Sequence, residues 1–297
     1  MAETELTVKD LISDTKPTWC PGCGDFGVVR ALQTALAELN IQPHDTAVIS
    51  GIGCSSNLPH FMTPYGMHTI HGRLLPVAMG VKLANPELTV IGTGGDGDGY
   101  AIGAGHFAHA CRRNVDMTYI VMNNQIYGLT TGQTSPTSGE GHTTKSTPGG
   151  NIEPPFNPIG VALAEGATFV ARGFSGDPKH LQALVKRAIQ HKGFALVDVF
   201  SPCVTFNKLN TFKWYKQTIY NVNEPPKDMD IEPHDPSDRA RGFALSFPGQ
   251  DRIGYGVFYE ETGKLTYGEQ DPTLHAGVNP VHDVKPRDVR ALVEAMK

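Results

Sequence analysis

Long apolar runs are absent from this chain of 297 residues, and positive charge is not in excess. No uncharged run of eighteen apolar residues is present, which argues against a membrane-spanning helix. Six charged residues fall within the first nineteen, so the apolar segment of a secretory signal is missing. Lys and Arg total 25 against 30 Asp and Glu, whereas nucleic-acid binding depends on clustered cations. We therefore expect a cytoplasmic protein that contacts neither membrane nor nucleic acid.

Cysteine is scarce as well, with five in the chain. Disulfides are rare in cytoplasmic proteins, so these five are expected to be metal ligands or core thiols. Charged residues make up only 19% of the chain and hydrophobic residues 39%, which argues against disorder and provides for a core. A chain of this length fits one large domain with appendages.

Short apolar runs that end in turn-forming residues predict the buried strands of a parallel sheet. Four such runs occur, at residues 46–50, 89–93, 118–122 and 195–200. Helical patterns lie between them, so the expected fold is α/β, with a doubly wound, mostly parallel sheet.

The predicted helices carry recognisable start signals. One presents an apolar face over residues 28–39 with Asp25 as its N-cap, and another follows a glycine cluster over residues 100–111. A third begins at Asp177-Pro178 and ends near Gly193, and a last one is expected within 288–297.

Two regions do not follow this alternation. Residues 131–158, which we call the polar loop, contain few apolar residues and many turn formers, and so long a loop indicates a functional surface, a lid or disorder. After Cys203 the periodicity is lost. We therefore divide the chain into a diphosphate-binding domain with an N-terminal cluster-binding segment at 1–203, and a C-terminal arm or interface extension at 204–297. Trp214 and Tyr215 are its expected anchors.

The residues that follow the predicted strands carry most of the chemistry. They are Gly51-Ile-Gly-Cys-Ser55, Gly94-Gly-Asp-Gly-Asp-Gly99, Asn123-Asn-Gln-Ile-Tyr-Gly128 and Ser201-Pro-Cys203. Ligands bind beyond the carboxyl ends of parallel strands, because the loops meet there. We therefore expect these four loops to form one site.

A diphosphate site is predicted from the second and third of these loops. The glycines beside Asp96 let the backbone approach an anion, and a helix N-terminus follows. Mg²⁺ prefers oxygen ligands, which Asp96, the amide of Asn124 and the backbone carbonyl two residues later can supply. This GDG sequence, followed by Asn-Asn within thirty residues, resembles the thiamine diphosphate motif. His71 is a candidate for binding phosphate or a substrate carboxylate.

A dinucleotide fingerprint is the competing interpretation, since residues 92–97 also satisfy G-x-G-x-x-G. That motif requires an acidic residue at the end of the next strand. Asp116 instead precedes its strand, which ends in Asn123-Asn124, so we reject NAD binding.

Cys20-Pro-Gly-Cys23 is a C-x-x-C sequence in a glycine-rich turn, a geometry in which two sulfurs can face one metal. Cys54 and Cys203 each follow a strand, and four thiolates commonly hold an iron–sulfur cluster. A redox dithiol and a zinc site remain open alternatives. Cys111 falls deep in a helix, far from the glycine loop, and is assigned to the core.

Five sequences taken together resemble the β subunit of 2-oxoacid:ferredoxin oxidoreductases. They are Cys-Pro-Gly-Cys-Gly from Cys20, Gly-Ile-Gly-Cys-Ser from Gly51, His-Gly-Arg from His71, Gly-Asp-Gly-Asp from Gly95, and the long run from Asn123 to Thr137. The resemblance covers about residues 15–210, in the family's order. The long run is more similar to the 2-oxoglutarate branch than to the pyruvate branch, and the resemblance implies a thiamine diphosphate-binding fold.

The resemblance implies specific ligands in this chain. One [4Fe-4S] cluster would be bound by Cys20, Cys23, Cys54 and Cys203. Mg²⁺ would be bound by Asp96, Asn124 and the carbonyl of Ile126. Thiamine diphosphate would contact Ile52, Gly53, Cys54, Ser55, His71, Gly97, Asp98, Gly128 and Leu129.

The implied reaction is oxidative decarboxylation of a 2-oxoacid, with the acyl group passed to coenzyme A and electrons to a separate ferredoxin. The 2-oxoglutarate branch would give succinyl-CoA, and its reverse would fix CO₂. No Glu is well placed to activate the cofactor, so we expect an α subunit to supply it. Some 2-oxoglutarate relatives carry Lys where this chain has Thr131, so the distal carboxylate would be recognised by other residues, including the partner's.

Three other functions remain open from the sequence. They are a pyruvate:ferredoxin oxidoreductase, a non-redox thiamine diphosphate enzyme with a structural zinc, and a non-catalytic iron–sulfur protein. Cofactor content and activity across several 2-oxoacids would separate them.

Overall fold

The computed structural model describes residues 5–249, 252–283 and 288–296. The strands within these ranges are β1 (Thr46–Ser50), β2 (Tyr65–His68), β3 (Thr89–Gly95), β4 (Met117–Asn123), β5 (Phe169–Phe174), β6 (Phe194–Phe200), β7 (Ile219–Asn221) and β8 (Ile253–Glu260). The α-helices are α1 (Asp25–Glu38), α2 (Leu74–Ala84), α3 (Ala104–Arg113), α4 (Pro158–Ala164), α5 (Pro178–Gln190), α6 (Phe212–Thr218), α7 (Arg239–Leu245), α8 (Tyr267–Gln270), α9 (Pro272–His275) and α10 (Arg290–Ala295).

All eight strands form one sheet in the order β2-β1-β3-β4-β6-β5-β8-β7. Every neighbouring pair is parallel except β5 and β8, which run antiparallel. The predicted α/β fold with a mostly parallel sheet is confirmed. The four predicted strands are β1, β3, β4 and β6, which are adjacent at the centre of the sheet, so the loops after them lie at one edge.

Two apolar cores lie on opposite faces of the sheet, because successive strand residues point to opposite sides. Val48 belongs to the core that packs against α1 and α5. Its neighbours Ala47 and Ile49 belong to the other core, which packs against α2, α3 and α4. Helices therefore cover both faces, which explains why the central strands are continuously apolar.

Helix boundaries agree with the sequence at one start and differ at another. Asp177 is the N-cap of α5, and its side chain accepts a hydrogen bond from the backbone N–H of His180. Asp25 is not an N-cap: Gly24 holds that position, and Asp25 is the first residue of α1. The reason is a tertiary contact, since Ser201 donates to Asp25 at 2.6 Å and directs the carboxylate toward the end of β6.

The helix predicted after the glycine cluster begins with a π-helical turn over Asp98–Ile102 and continues as α3. α10 lies within the predicted terminal segment, whose last residue, Lys297, is outside the described residues. From residue 124 to 157 the chain forms neither a helix nor a named strand, as expected for a segment that includes the polar loop.

The region after residue 203 contains structure that the sequence did not predict. β7 and β8 extend the sheet beyond β5, and α6 contains the two expected anchors. Tyr215 is completely buried and stacks on Phe200, whereas Trp214 is half-buried. No helix among the described residues is both long enough and apolar enough to cross a membrane.

Candidate functional site

A cavity of about 530 Å³ lies at the carboxyl ends of β1, β3 and β4. We call it the cofactor cavity. Its walls include every residue assigned above to thiamine diphosphate or Mg²⁺: Ile52, Gly53, Cys54, Ser55, His71, Asp96, Gly97, Asp98, Asn124, Ile126, Gly128 and Leu129. The structure therefore brings together positions that are up to 77 residues apart in the sequence.

Asp96 follows β3 and is 1% exposed. The hydroxyls of Ser135 and Thr137, both in the polar loop, donate to its Oδ2 atom at 2.5 and 2.6 Å. Burial raises the pKa of this carboxyl group to about 6, and these two hydrogen bonds oppose the rise. The polar loop thus orients a buried carboxylate that has no basic residue as a hydrogen-bond partner in the described structure.

Asn124 and Ile126 lie beside Asp96 at the end of β4. The side-chain oxygen of Asn124 accepts from the backbone N–H of Ile126 at 3.1 Å, which fixes the amide in the turn. Tyr127 packs over Gly97 and donates to its carbonyl oxygen at 3.1 Å. A Cβ on Gly97 would lie 2.1 Å from the Tyr127 ring, so only glycine permits this approach.

Asp98 connects three segments around the cavity. Its Oδ1 atom accepts from the backbone N–H groups of Ile52 and Gly72, at 2.9 and 2.7 Å. The Nδ1 atom of His71 lies 3.2 Å from the same oxygen. Burial raises the pKa of Asp98, and the hydrogen bonds from Gly72 and Ile52 oppose this. The carboxylate therefore holds the loop after β1 and the imidazole of His71 in fixed positions.

Two of the four candidate cluster ligands face one point at the cavity wall. A Cβ built on Gly128 would lie 3.5 Å from Sγ of Cys54 and 3.7 Å from Sγ of Cys203. The loops that follow β1 and β6 therefore place two sulfurs close to Gly128. Gly128 and Asp96 line the same cavity.

The C-x-x-C turn is attached to the same region by hydrogen bonds. The backbone N–H of Cys23 donates to the carbonyl of Cys20, which closes the turn, and Gly24 donates to Pro202, one residue before Cys203. The indole N–H of Trp19 donates to the Cys54 carbonyl at 2.6 Å. These contacts tie the N-terminal segment to both strand-end cysteines.

Burial and nearby negative charge disfavour the thiolate forms of Cys23 and Cys54. Burial, followed by the charge of Asp25, raises the pKa of Cys54 to about 11, and the same two causes raise the pKa of Cys23 further. A redox dithiol stays an open alternative, because redox chemistry and metal binding both require the thiolate. Cys111 is fully buried in the core, as expected.

Among the described residues, no three His, Cys, Asp or Glu side chains are grouped so that they could hold a single metal ion. Four thiolates bound to one zinc would lie less than about 4 Å apart, since each is roughly 2.3 Å from the metal. Zinc stays an open alternative to a cluster for these four cysteines. A four-iron cluster has its thiolates on four different irons, which requires wider spacing.

Sequence reasoning missed several residues that shape the site. Ser135 and Thr137, which hold Asp96, entered only as part of a family motif, and nothing singled out Trp19. The sequence does carry a signal for Ser135 and Thr137. They belong to a Ser-Pro-Thr sequence in a loop whose unusual length itself suggests a function. No sequence pattern indicated that the Trp19 indole would reach Cys54.

Two family descriptions match this chain. Residues 51–199 match the thiamine pyrophosphate enzyme C-terminal TPP-binding domain. Residues 203–276 match the C-terminal region of the pyruvate ferredoxin oxidoreductase beta subunit. The first match contains the whole cofactor cavity, and the second contains Cys203.

Characterised relatives are similar over most of their length. The chain is 46% identical over 275 residues to a 2-oxoacid:ferredoxin oxidoreductase subunit beta from Saccharolobus solfataricus, covering 90% of each. It is 44% identical over 200 residues to the 2-oxoglutarate synthase subunit KorB from Archaeoglobus fulgidus, covering 67% of this chain and 74% of the relative.

A solved structure shows the same architecture. The 2-oxoglutarate:ferredoxin oxidoreductase from Magnetococcus marinus, with 2-oxoglutarate, coenzyme A and succinyl-CoA bound, has a chain that is 42% identical. The match has a TM-score of 0.86 and covers 98% of this chain and 96% of that one. The sequence motifs, the shared cavity and these similarities agree, so this chain belongs to the beta subunits of the 2-oxoacid:ferredoxin oxidoreductases.

Proposed function

We propose that this chain is the thiamine diphosphate- and cluster-binding subunit of a 2-oxoglutarate:ferredoxin oxidoreductase. The enzyme would interconvert 2-oxoglutarate, coenzyme A and oxidised ferredoxin with succinyl-CoA, CO₂ and reduced ferredoxin. The observation that carries the proposal is the cofactor cavity, which is lined by two buried carboxylates, an amide, a carbonyl and the thiol of Cys54, with the thiol of Cys203 close by at Gly128.

Mg²⁺ fits the oxygen groups at the end of β3 and β4. Asp96, Asn124 and the carbonyl of Ile126 would hold it, and a cation there would offset the negative charge of a carboxylate that burial disfavours. Ser135 and Thr137 keep the carboxylate in one orientation. The diphosphate would then bind at the glycine-rich turn that leads into the π-helical turn and α3.

Thiamine diphosphate, when bound, supplies the electron sink that decarboxylation of a 2-oxoacid requires. The contribution of this chain is to position it. Asp98 fixes the loop that contains Ile52 and Gly53, and it holds His71 at the cavity wall. Leu129, which is 54% exposed, lines the cavity with an apolar side chain that would exclude water once a partner packs on it.

A [4Fe-4S] cluster would be held by Cys20, Cys23, Cys54 and Cys203. The fit is supported by the two sulfurs near Gly128 and by the hydrogen bonds that attach the C-x-x-C turn to the ends of β1 and β6. Of the four cysteines only Cys20 is exposed. Ferredoxin would therefore accept electrons at the side of the cluster where Cys20 lies.

An α subunit is required for activity in this proposal. No glutamate of the described ranges lines the cofactor cavity, so the group that activates the aminopyrimidine ring would come from the partner. The partner would also supply a cation for the substrate carboxylate. Ile70 and Ile102, near the cavity, are 75% and 53% exposed, which fits a surface that the partner would cover.

We also propose that the division at residue 203 separates two roles. Residues 1–203 would bind the cofactors, and residues 204–297 would extend the interface with other subunits. The presence of free thiols at all five cysteines is consistent with a reducing cytoplasm as the place of action.

The test is the substrate preference of the anaerobically purified complex of this chain with its α partner. Ferredoxin reduction should depend on coenzyme A, and kcat/KM for 2-oxoglutarate should exceed that for pyruvate by at least about tenfold, since an unpaired carboxylate-binding group disfavours the shorter acid. A preference for pyruvate would move the proposal to the other branch. Full turnover by the isolated chain would contradict the need for a partner.

A further inference from the structure

A second cavity, of about 300 Å³, adjoins the end of β4. We call it the rear cavity. Asn124 and Ile126 line the cofactor cavity, whereas Asn123 and Gln125 line the rear cavity, as expected for alternating residues at a strand end. The remaining walls come from the polar loop, which includes the exposed Glu140, from β5 and β6, and from segments after residue 203. Nothing proposed above gives this cavity a role.

Arg172 on β5 provides the cationic side chain of the rear cavity, and it is only 5% exposed. Its Nε atom donates to Asp198 at 3.0 Å. The guanidinium carbon lies 4.9 Å from the centroid of the Phe200 ring. This ring packs on the face of the guanidinium and accepts no hydrogen bond from its N–H groups. Neither Nη atom has a hydrogen-bond acceptor within the described part of the chain. The Nη atoms are not among the fully buried unpaired atoms of the described residues, so they open to the cavity, where water or a ligand can accept from them.

Asp198 accepts hydrogen bonds from other groups and none from the Nη atoms of Arg172. It is completely buried and already accepts from Tyr100, Asn123 and the Nε atom of Arg172, at 3.0, 3.1 and 3.0 Å. The carboxylate therefore fixes Arg172 through one nitrogen and leaves the outer edge of the guanidinium for another group. A planar pair of oxygens matches that edge.

His142, in the polar loop, is a second buried polar group at the same cavity. It is 6% exposed, and its ring nitrogens have no hydrogen-bond partner among the residues that the structure describes. Burial lowers its pKa, so the neutral ring presents one N–H donor and one acceptor. Because it comes from a different element than Arg172, it is an independent indication of a ligand.

The other walls are suited to an apolar body. Phe156, Phe200, Trp214 and Ile253 line the cavity between the polar groups. Binding sites for small molecules commonly combine such walls with a few polar groups, in cavities of about this volume or larger.

We propose that the rear cavity binds a small carboxylate with an apolar body, whose oxygens accept hydrogen bonds from the Nη atoms of Arg172 and from the ring N–H of His142. The site is separate from the cofactor cavity and does not depend on the chemistry proposed there. A phosphate would be a poorer ligand, because the apolar walls would gain no contact with it.

Equilibrium dialysis of radiolabelled phenylacetate against the intact complex of this chain and its α partner tests the proposal. Binding should saturate at one molecule per chain, and phenylacetamide should bind about tenfold more weakly, since it lacks the charge that strengthens the bonds to Arg172. Excess 2-oxoglutarate should not displace phenylacetate. Displacement would place phenylacetate in the cofactor cavity and overturn the proposal, as would the absence of saturable binding.

Two variants locate the site within the chain. Arg172→Lys keeps a cation beside Asp198 but removes the fork, and it should weaken phenylacetate binding about tenfold or more. His142→Phe keeps a ring of similar size and breaks no hydrogen bond within the described protein, so it should fold normally and weaken binding about threefold to tenfold. Arg187→Lys is the matched control, because Arg187 pairs with Glu260 outside the rear cavity. Binding that both test variants leave unchanged would refute the proposal.

Discussion

Carboxylates near the carboxyl ends of the parallel strands differ from a carboxylate at their amino ends in hydrogen-bond partners and in the direction of the pKa shift. At the carboxyl ends, Asp25 and Asp96 are almost completely buried, and burial raises the pKa of each to about 6. Their side-chain hydrogen-bond partners are hydroxyl groups and, for Asp25, the thiol of Cys23, and none of these partners among the described residues is basic. These carboxylates therefore remain electrostatically unbalanced within the chain.

At the amino end of β4, Asp116 has two lysine partners. Lys82 and Lys192 each lie 3.3 Å from its Oδ2 atom. Burial opposes ionisation, but the two lysines outweigh it and lower the pKa of Asp116. Asp116 is thus balanced by cations of this chain, whereas Asp96, the carboxylate that we assign to a divalent cation, has no basic partner among the described residues.

The largest effect is expected from Asp96→Asn. The change preserves the shape of the side chain but removes the charge proposed to bind Mg²⁺. The affinity of the complex for thiamine diphosphate and Mg²⁺ should therefore fall at least about a hundredfold, which is more than the loss of a group that only hydrogen-bonds a metal ligand causes. Thiamine content of the purified complex measures this. Asp116→Asn is the matched control and should retain the cofactor. Equal loss of cofactor in both variants would contradict the different roles assigned to Asp96 and Asp116.

Removal of a strand-end sulfur should abolish electron transfer. Cys54→Ala should eliminate the brown colour and its bleaching by dithionite, together with ferredoxin reduction, because one ligand of the proposed cluster is gone. Cys111→Ala, which alters a buried thiol of the core, should keep the colour and cost only about 1 kcal/mol of stability. A fully coloured Cys54→Ala complex would contradict the assignment.

Thr137→Val should have an intermediate effect, since it removes a hydrogen bond to Asp96 but leaves the proposed ligand in place. We expect Mg²⁺ affinity to fall about tenfold to a hundredfold, as for other groups that orient a metal ligand. A magnesium titration of ferredoxin-reducing activity measures it. Thr144→Val alters the same polar loop at a residue that contacts Ser146 and Thr147, and its titration should match that of the wild type.

The smallest effect concerns stability at the amino end. Asp116→Asn should destabilise the chain by about 1 to 2 kcal/mol, since Lys192 is exposed and Lys82 keeps hydrogen bonds to two carbonyls. The pKa of Asp116 is lower in the folded chain than its value of 3.8 in the unfolded chain. The stability that Asp116 contributes is therefore complete above pH 3.8 and is lost as the pH falls through the lower pKa of the folded chain. Urea unfolding of both proteins at pH 7 and pH 3 should show the difference shrink; an increase at pH 3 would contradict it.

The central strands were predictable because each is mostly apolar and ends at, or directly before, glycine, asparagine or serine. β5 was missed although it lies inside the sheet, since Arg172 and Gly173 together limit its apolar run to three residues. Only the structure shows that Asp198 on the neighbouring strand pairs with this arginine, which makes a charged residue acceptable in a buried strand. β2 escaped prediction for a different reason: all four of its residues are exposed, so it has no apolar signal.

The site was predictable where chemistry follows a strand end directly. Asp96, Asn124 and Cys54 could be assigned because parallel strands bring their ends to one edge. The supporting residues could not, since their contacts cross long sequence distances: Trp19 reaches Cys54 over 35 residues, and Ser201 reaches Asp25 over 176. Such contacts depend on packing that no local pattern encodes.

Thr137 lies between two oxygen acceptors, 2.6 Å from Asp96 Oδ2 and 2.9 Å from Asn123 Oδ1. A hydroxyl has a single hydrogen, so it can point at only one of them at a time. A cation held by Asp96 would weaken that acceptor and favour the hydrogen bond to Asn123, which in turn contacts Asp198 and, through it, Arg172. Thr137 also lines the rear cavity, so a single hydroxyl joins the walls of the two cavities.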